Sequence, residues 1–381
     1  MSMTLRPIDS VRCTRLGSRV LVALAAIALA AACGPPKGNR YQRKQVQESL
    51  KKLEAPGVVI GEFHLTKVTD GDTIRVDGLE SSLRLVGLDA EETFKNEHDR
   101  RAAETDFSAY LATKRGESKH PVKAASPLGE AAKEYAKQFF TGHSLVRLER
   151  DDAREIRDRY DRYLAYVFIQ KDGTWVNYNV ECVRAGMSPY FTKYGYSRRF
   201  HDDLVAAEAE AKAARRGIWD PALPHYPDYD ERKVWWDARG DFIARYQPQI
   251  DADPSFIVLT HWDALRRLEE RVGQEVSLLA TVGDIRLGDR GPTRVALSRK
   301  MFGDFPLIFF DKDVFASSGL STWRGEFVVV KGVVTVYQNK HTKRKQLQIQ
   351  IDRAGQIILS PIPGLVQPGD VTNPTDTAAG L

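Results

Sequence analysis

The chain has 381 residues, 42% of them hydrophobic and 28% charged, which gives length and apolar content for two or more packed domains. A formal net charge of +5 is compatible with a polyanionic partner but does not diagnose one. Three cysteines, Cys13, Cys33 and Cys182, provide neither a disulfide framework nor the Cys/His spacing of a zinc site.

The N-terminus reads as an export signal. Arg6, Arg12, Arg15 and Arg19 form a basic leader, and Val20–Ala32 is an unbroken apolar run of thirteen residues. A membrane-crossing helix needs about twenty, so the run fits a signal-peptide core. Its arginines are scattered rather than paired, which favours Sec-type export. Ala31-Ala32-Cys33-Gly34 follows and resembles a bacterial lipoprotein cleavage box, with Cys33 as the lipidated first residue. Ala30 stands where such boxes usually have Leu. A plain cleaved signal and an uncleaved anchor are the alternatives. Residues 1–32 are then a signal peptide and 33–56 a tether and spacer. The expected location is the bacterial envelope, anchored to the membrane through Cys33, or else the periplasm or the medium.

Val68–Thr93 carries the chemistry. Val68–Val76 and the run from Leu83 read as strands, with turn signals at Asp70-Gly71 and Asp77-Gly78. Asp72 and Asp89 are carboxylates from neighbouring strands, which can share one hard, oxygen-preferring cation. Arg84, between them in sequence, can clamp a phosphate through two parallel hydrogen bonds. Glu92 can orient or deprotonate a water. These are the parts of a metal-assisted attack on a phosphodiester.

Residues 94–127 form a polar insertion close to that site, either a substrate-contacting lid or a tolerated surface loop. Ser126 is a plausible N-cap for a helix opening at Pro127, with Leu128, Ala132, Tyr135, Ala136 and Phe139 on one face. Ser144–Arg150 alternates as a strand. Between Thr141 and Arg162 stand six arginines and six acids, so this is no basic patch, and most of these charges should pair at the surface. Asp158-Arg159-Tyr160-Asp161-Arg162-Tyr163-Leu164-Ala165-Tyr166 leads into the next strand. Asp172-Gly173 is its hairpin turn. Asn179, Cys182, Val183 and Gly186 pattern a helix that buries Cys182 as a core residue. Tyr190, Phe191, Tyr194 and Tyr196 form an aromatic cluster, and a long helix from His201 ends at Gly217-Ile218-Trp219-Asp220.

Three of these stretches together resemble the thermonuclease (staphylococcal-nuclease-like) family: Asp70-Gly71-Asp72-Thr73, Arg84-Leu85-Val86-Gly87-Leu88-Asp89-Ala90-Glu91-Glu92, and Asp158–Tyr166. The resemblance covers residues 58–220 and implies a five-stranded OB-fold barrel with helices. It implies that Asp72, Asp89 and the Ala90 carbonyl hold calcium, ahead of magnesium or manganese, and that Glu92 acts on the attacking water. Arg84 and Arg162 would neutralise the phosphoryl oxygens, with Tyr160 near the phosphate and bases stacked on tyrosines such as Tyr190. The implied reaction cleaves the 5′ P–O bond of DNA or RNA and leaves 3′-phosphate ends. Tyr163 stands where the family often has Gly, which would narrow the site. Glu91 stands where it usually has Pro, adding a carboxylate that competes for the metal or faces solvent.

Pro221, Pro224 and Pro227 mark a boundary. Residues 221–271 read as a helical connector, with Val234, Trp235, Ala238, Phe242 and Ile243 able to pack. From Gly273 the period becomes two: five strand candidates with a helix after the third have the plan of an OB-fold, so 272–360 is expected to be a second, OB-fold-like barrel. The fold class is therefore mostly β with helices (α+β). Lys340–Lys345 is a basic hairpin; Lys343 and Arg344 beside Tyr337 suit a nucleic-acid contact. Residues 361–381, rich in Pro, Thr and Gly, are expected to be disordered. No sequence feature calls for an obligate protein partner. Two other readings stay open: a nucleic-acid-binding envelope lipoprotein with a degenerate nuclease domain, and a second barrel that serves protein interaction.

Overall fold

The computed structural model of the chain describes residues 57–118, 121–158, 160, 162–298 and 305–364. The leader, the tether with Cys33, and residues 365–381 of the expected tail lie outside the described residues.

The first barrel is built from β1 (Val59–Asp70), β2 (Thr73–Val76), β3 (Leu83–Leu85), β4 (Leu145–Glu149) and β5 (Tyr163–Lys171). They close in the order β1-β2-β3-β5-β4-β1, and β6 (Thr174–Asn177) extends β5. Only the β3/β5 pair is parallel, with Leu83 opposite Tyr163 and Arg84 opposite Leu164. Ile74, Leu83, Leu85, Val146, Leu148, Ala165 and Val167 are fully buried, as alternation around a small closed barrel requires. The strand expected over Val68–Val76 is a hairpin: β1 starts earlier, and Asp72 sits in its turn.

Helices decorate this barrel. α1 (Glu97–Thr105) and α2 (Phe107–Arg115) occupy the insertion, capped by the Asn96 and Asp106 side chains. α3 (Pro127–Phe140) starts at Ser126, whose hydroxyl accepts from the Gly129 N–H, with Pro in the first turn. α4 (Tyr178–Arg184) carries Asn179 into the barrel. Its amide donates to the Val86 carbonyl (2.8 Å) and accepts from the Val167 N–H (3.1 Å), pinning the exit of β3 to the middle of β5. Cys182 is fully buried on the same helix, and burial pushes its thiol up to about 12, the environment of an inert core cysteine. α5 (His201–Ala213) follows.

The second barrel repeats the plan. β8 (Glu275–Arg286), β9 (Thr293–Ser298), β10 (Phe305–Phe309), β11 (Phe327–Gln338) and β12 (Lys345–Gln350) close as β8-β9-β10-β12-β11-β8, with α8 (Lys312–Ser317) between β10 and β11. Again the third and fifth strands are the parallel pair inside the barrel. Both barrels therefore have OB-fold topology. Two short strands widen the second sheet: β13 (Ile357–Leu359) on β11, and β7 (Phe256–Val258), parallel to β8. β7 shows that the connector, which also carries α7 (Ala264–Glu269), ends inside the second domain, earlier than residue 272.

α6 (Tyr229–Ala252) lies between the barrels. Val328 and Val330 point into the second barrel's core, while Phe327, Val329 and Leu279 pack under Phe242, Tyr246 and Ile250 of α6. This explains why Phe327–Val330 is apolar without alternation: both faces are covered. On its other side, Trp236 meets Phe191 edge-on at 4.8 Å. Of the residues expected to pack, Phe242 and Ile243 join this core and Val234 is exposed, while Trp236, Arg232 and Arg239 are buried in addition.

Candidate active site

The β1–β2 turn and the loop after β3 bring Asp72, Arg84 and Asp89 together. All three are buried. Arg84 bridges the two carboxylates: Nη1 donates to Asp72 Oδ2, and Nη2 donates to Asp89 Oδ1 at 2.7 Å. Nη2 also reaches the Leu88 carbonyl at 2.7 Å, which fixes the fork. The Thr73 hydroxyl donates to Asp72 Oδ1 (2.8 Å), and the Asp89 N–H donates to Ser188 Oγ (2.8 Å). Asp89 lies in a loop rather than on a strand. Burial works against its charge, but Lys123 and Arg84 outweigh burial and hold the carboxyl below the usual carboxylate range.

Asp72 and Asp89 converge on one guanidinium, that of Arg84. Buried acids this close require positive charge between them, and their all-oxygen character suits a hard ion such as calcium. Among the described residues no cluster of three or more His, Cys, Asp or Glu side chains forms. Backbone oxygen, with Ala90 buried beside Asp89, and water would complete the coordination. The donor set fits the ion on those terms.

Glu92 sits at the mouth, partly exposed, with Lys123 and Lys95 each 3.8 Å from a carboxylate oxygen. Its backbone is locked by α3. The Ser126 N–H donates to the Glu92 carbonyl (2.9 Å), and a Cβ on Gly129 would stand 2.1 Å from that oxygen. A Cβ on Gly71 would stand 2.7 Å from Ala132 Cβ and 3.1 Å from Ala90 Cβ. The helix approaches the carboxylate loop this closely because both positions lack side chains.

Glu91 neither faces solvent nor contacts the other acids. It is 1% exposed and accepts from the Ser126 hydroxyl, the Tyr226 N–H (2.8 Å) and the Tyr229 hydroxyl (2.8 Å). It ties the catalytic loop to the start of α6, a role its sequence position did not reveal because the partners lie far along the chain.

Arg162 stands at the entry to β5, beside β3. Asp158 holds it through Nε (2.7 Å) and Nη2 (2.6 Å). The Tyr160 ring lies 5.5 Å from its guanidinium carbon and is 66% exposed. Tyr163 does not narrow the cleft: its hydroxyl donates to Glu80 (2.8 Å) and its ring lies against Arg157 (4.0 Å). Tyr190 offers no face to a base. It is 1% exposed, its hydroxyl accepts from the Ser197 N–H (2.8 Å) and meets His201 Nδ1 (3.1 Å), so it seals the core. In the second barrel Tyr337 is 43% exposed, and Lys343 and Arg344 are exposed on the β11–β12 hairpin.

Two cations near the acids were not picked out from sequence. Lys123 Nζ lies 2.5 Å from Asp89 Oδ1. Lys193 is half-buried, with its ammonium 4.2 Å from the Trp235 ring centre. Burial, then Arg239, push it down to about 8, while Asp89 and Glu326 pull the other way. Neither lysine belongs to a motif; only folding brings them to the site.

A family model described as "Staphylococcal nuclease homologue" matches residues 82–221. The thermonuclease of Staphylococcus intermedius is 30% identical over 165 residues, covering 42% of this chain and 79% of that protein. The thermonuclease of Staphylococcus hyicus is 28% identical over 162 residues, 41% of this chain and 75% of that protein. An uncharacterised protein of Methanocaldococcus jannaschii, MJ1439, is 29% identical over 164 residues, 41% of this chain and 70% of that protein. With the OB topology and the Asp72–Arg84–Asp89 constellation in place, the chain belongs to the staphylococcal nuclease family.

Proposed function

We propose that the chain is an exported, calcium-dependent endonuclease that hydrolyses phosphodiester bonds of DNA, RNA or both and leaves 3′-phosphate ends. The observation that carries this reading is the convergence of Asp72 and Asp89 on one guanidinium, with Lys123 spanning from Asp89 to Glu92. Asp72, Asp89 and the Ala90 carbonyl would hold the cation, with magnesium and manganese as alternatives to calcium; when bound, it supplies Lewis-acid polarisation of a phosphoryl oxygen. Glu92, at the mouth, orients the attacking water or takes its proton. Arg84 and Arg162 stabilise charge that grows on the phosphoryl oxygens. Tyr160, packed on Arg162, flanks the phosphate. Tyr337, Lys343 and Arg344 form a second nucleic-acid contact, where a ring and two cations suit a single strand. Export and anchoring at Cys33 rest on the leader residues.

Cleavage of single-stranded DNA by the purified chain tests the reading, with calcium, with magnesium and with chelator, beside Glu92→Gln and Arg162→Ala. The expected result is calcium-dependent cutting, lost with chelator and lowered in each variant on the order of 10²–10³-fold. Tight binding without cutting under any metal would overturn it in favour of a nucleic-acid-binding envelope lipoprotein.

A further inference from the structure

The described residues place an ammonium where the cation is wanted. Lys123 Nζ is 2.5 Å from Asp89 Oδ1 and 3.8 Å from Glu92 Oε1. The backbone that presents it is held on both sides. The Val122 carbonyl accepts from Arg232 Nη2 (2.6 Å), the Ala124 N–H donates to the Tyr226 hydroxyl (2.9 Å), and that hydroxyl donates to the Ala124 carbonyl. Three residues on, Ser126 is bonded to Glu91. The connector thus fixes this segment against the catalytic loop, so the lysine's placement is built rather than incidental.

The charges close around it. Asp72, Asp89 and Glu92 stand among the cations of Arg84, Lys123 and Lys95, and Lys193 acts on Asp89 from further away. Arg84 is buried and anchored to the Leu88 carbonyl, so it stays. The Lys123 side chain is 42% exposed and has room to leave. A divalent ion on Asp89 would meet the ammonium on the same carboxylate, and like charges at that range repel strongly.

We propose that Lys123 is the protein's own counter-ion for the cation site, which a divalent ion must displace in order to bind. This rests on the metal-dependent reading of the site above. Two consequences follow. The metal binds more weakly than the acids alone would dictate, and the carboxylates remain neutralised without metal.

Calorimetric titration of the full chain with calcium chloride tests this, using Lys123→Met, Lys123→Gln and Lys123→Arg. The neutral variants should bind calcium tighter on the order of ten- to a hundredfold, the screened effect of removing one charge beside the same carboxylate. Lys123→Arg should stay near the parent protein. Chelation should lower the melting temperature of the neutral variants more than that of the parent. Calcium affinities of the parent and both neutral variants within about twofold of each other, less than a displaced unit charge can account for, would overturn the role of Lys123 alone. Absence of binding in every protein would overturn the metal reading along with it.

Discussion

Glu91 illustrates how a residue that breaks a family pattern can be absorbed. A carboxylate 1% exposed is tolerated only with partners, and three donors converge on it from Ser126, Tyr226 and Tyr229. Burial still outweighs those hydrogen bonds and raises its pKa above the ordinary 4.5. A carboxyl whose pKa rises on folding binds its proton more tightly in the folded state. Its contribution to stability is therefore full below the unfolded value and lost as pH rises through the folded one. Glu91→Gln has a fixed cost, because an amide NH₂ replaces an acceptor oxygen among donors. That cost does not titrate, so the melting-temperature difference should move in favour of Gln as pH rises above the ordinary 4.5. Melting curves of both proteins at steps of pH above that value would show it, and a drift in the opposite direction would rule out a raised carboxyl at this position.

Among elements, α3 governs the site because its first turn touches the loop that carries Glu92. A methyl group at Gly129 would collide with the Glu92 carbonyl, and both partners are backbone, which yields little. Gly129→Ala should cost about 1–3 kcal/mol of stability and lower turnover more than it raises KM, since Glu92 is displaced. Denaturant melts and steady-state kinetics would check this; unchanged turnover would mean that the loop does not set the position of Glu92. The helix itself was legible from Ser126-Pro127 and its apolar period, because caps and faces are local. So were most of the barrel strands and the trio Asp72, Arg84 and Asp89, which lie within eighteen residues of one another. α1 was not legible: Ala103 is its only buried residue, and side-chain caps and ion pairs support it. The three residues of β7 carry too little pattern to separate from a loop. Lys123, Lys193 and the partners of Glu91 were hidden for another reason, since their neighbours stand in other elements.

At the scale of the molecule, α6 makes the two barrels share a core boundary. Arg239 on α6 is buried and donates to the Lys193 carbonyl of the nuclease barrel (3.1 Å), to the Gly325 carbonyl (3.0 Å) and to Glu326 at the start of β11. Glu326 also accepts from Trp235 Nε1 (3.1 Å). The pair is almost wholly removed from water, so its value lies less in attraction than in the penalty for separating it. Glu326→Ala would leave a guanidinium in the interface with carbonyls alone, and breaking one side of such a pair costs about 3–5 kcal/mol. Because Arg239 joins both domains, the loss should fall on their coupling. The parent protein should melt in one transition, whereas Glu326→Ala should melt earlier, with the second barrel separating from the first. Calorimetry resolves the two cases. A single transition displaced by less than about 1 kcal/mol, the size of an exposed pair, would mean that the apolar contacts of Phe242, Phe327 and Val329 hold α6 to the second barrel without help from the ion pair.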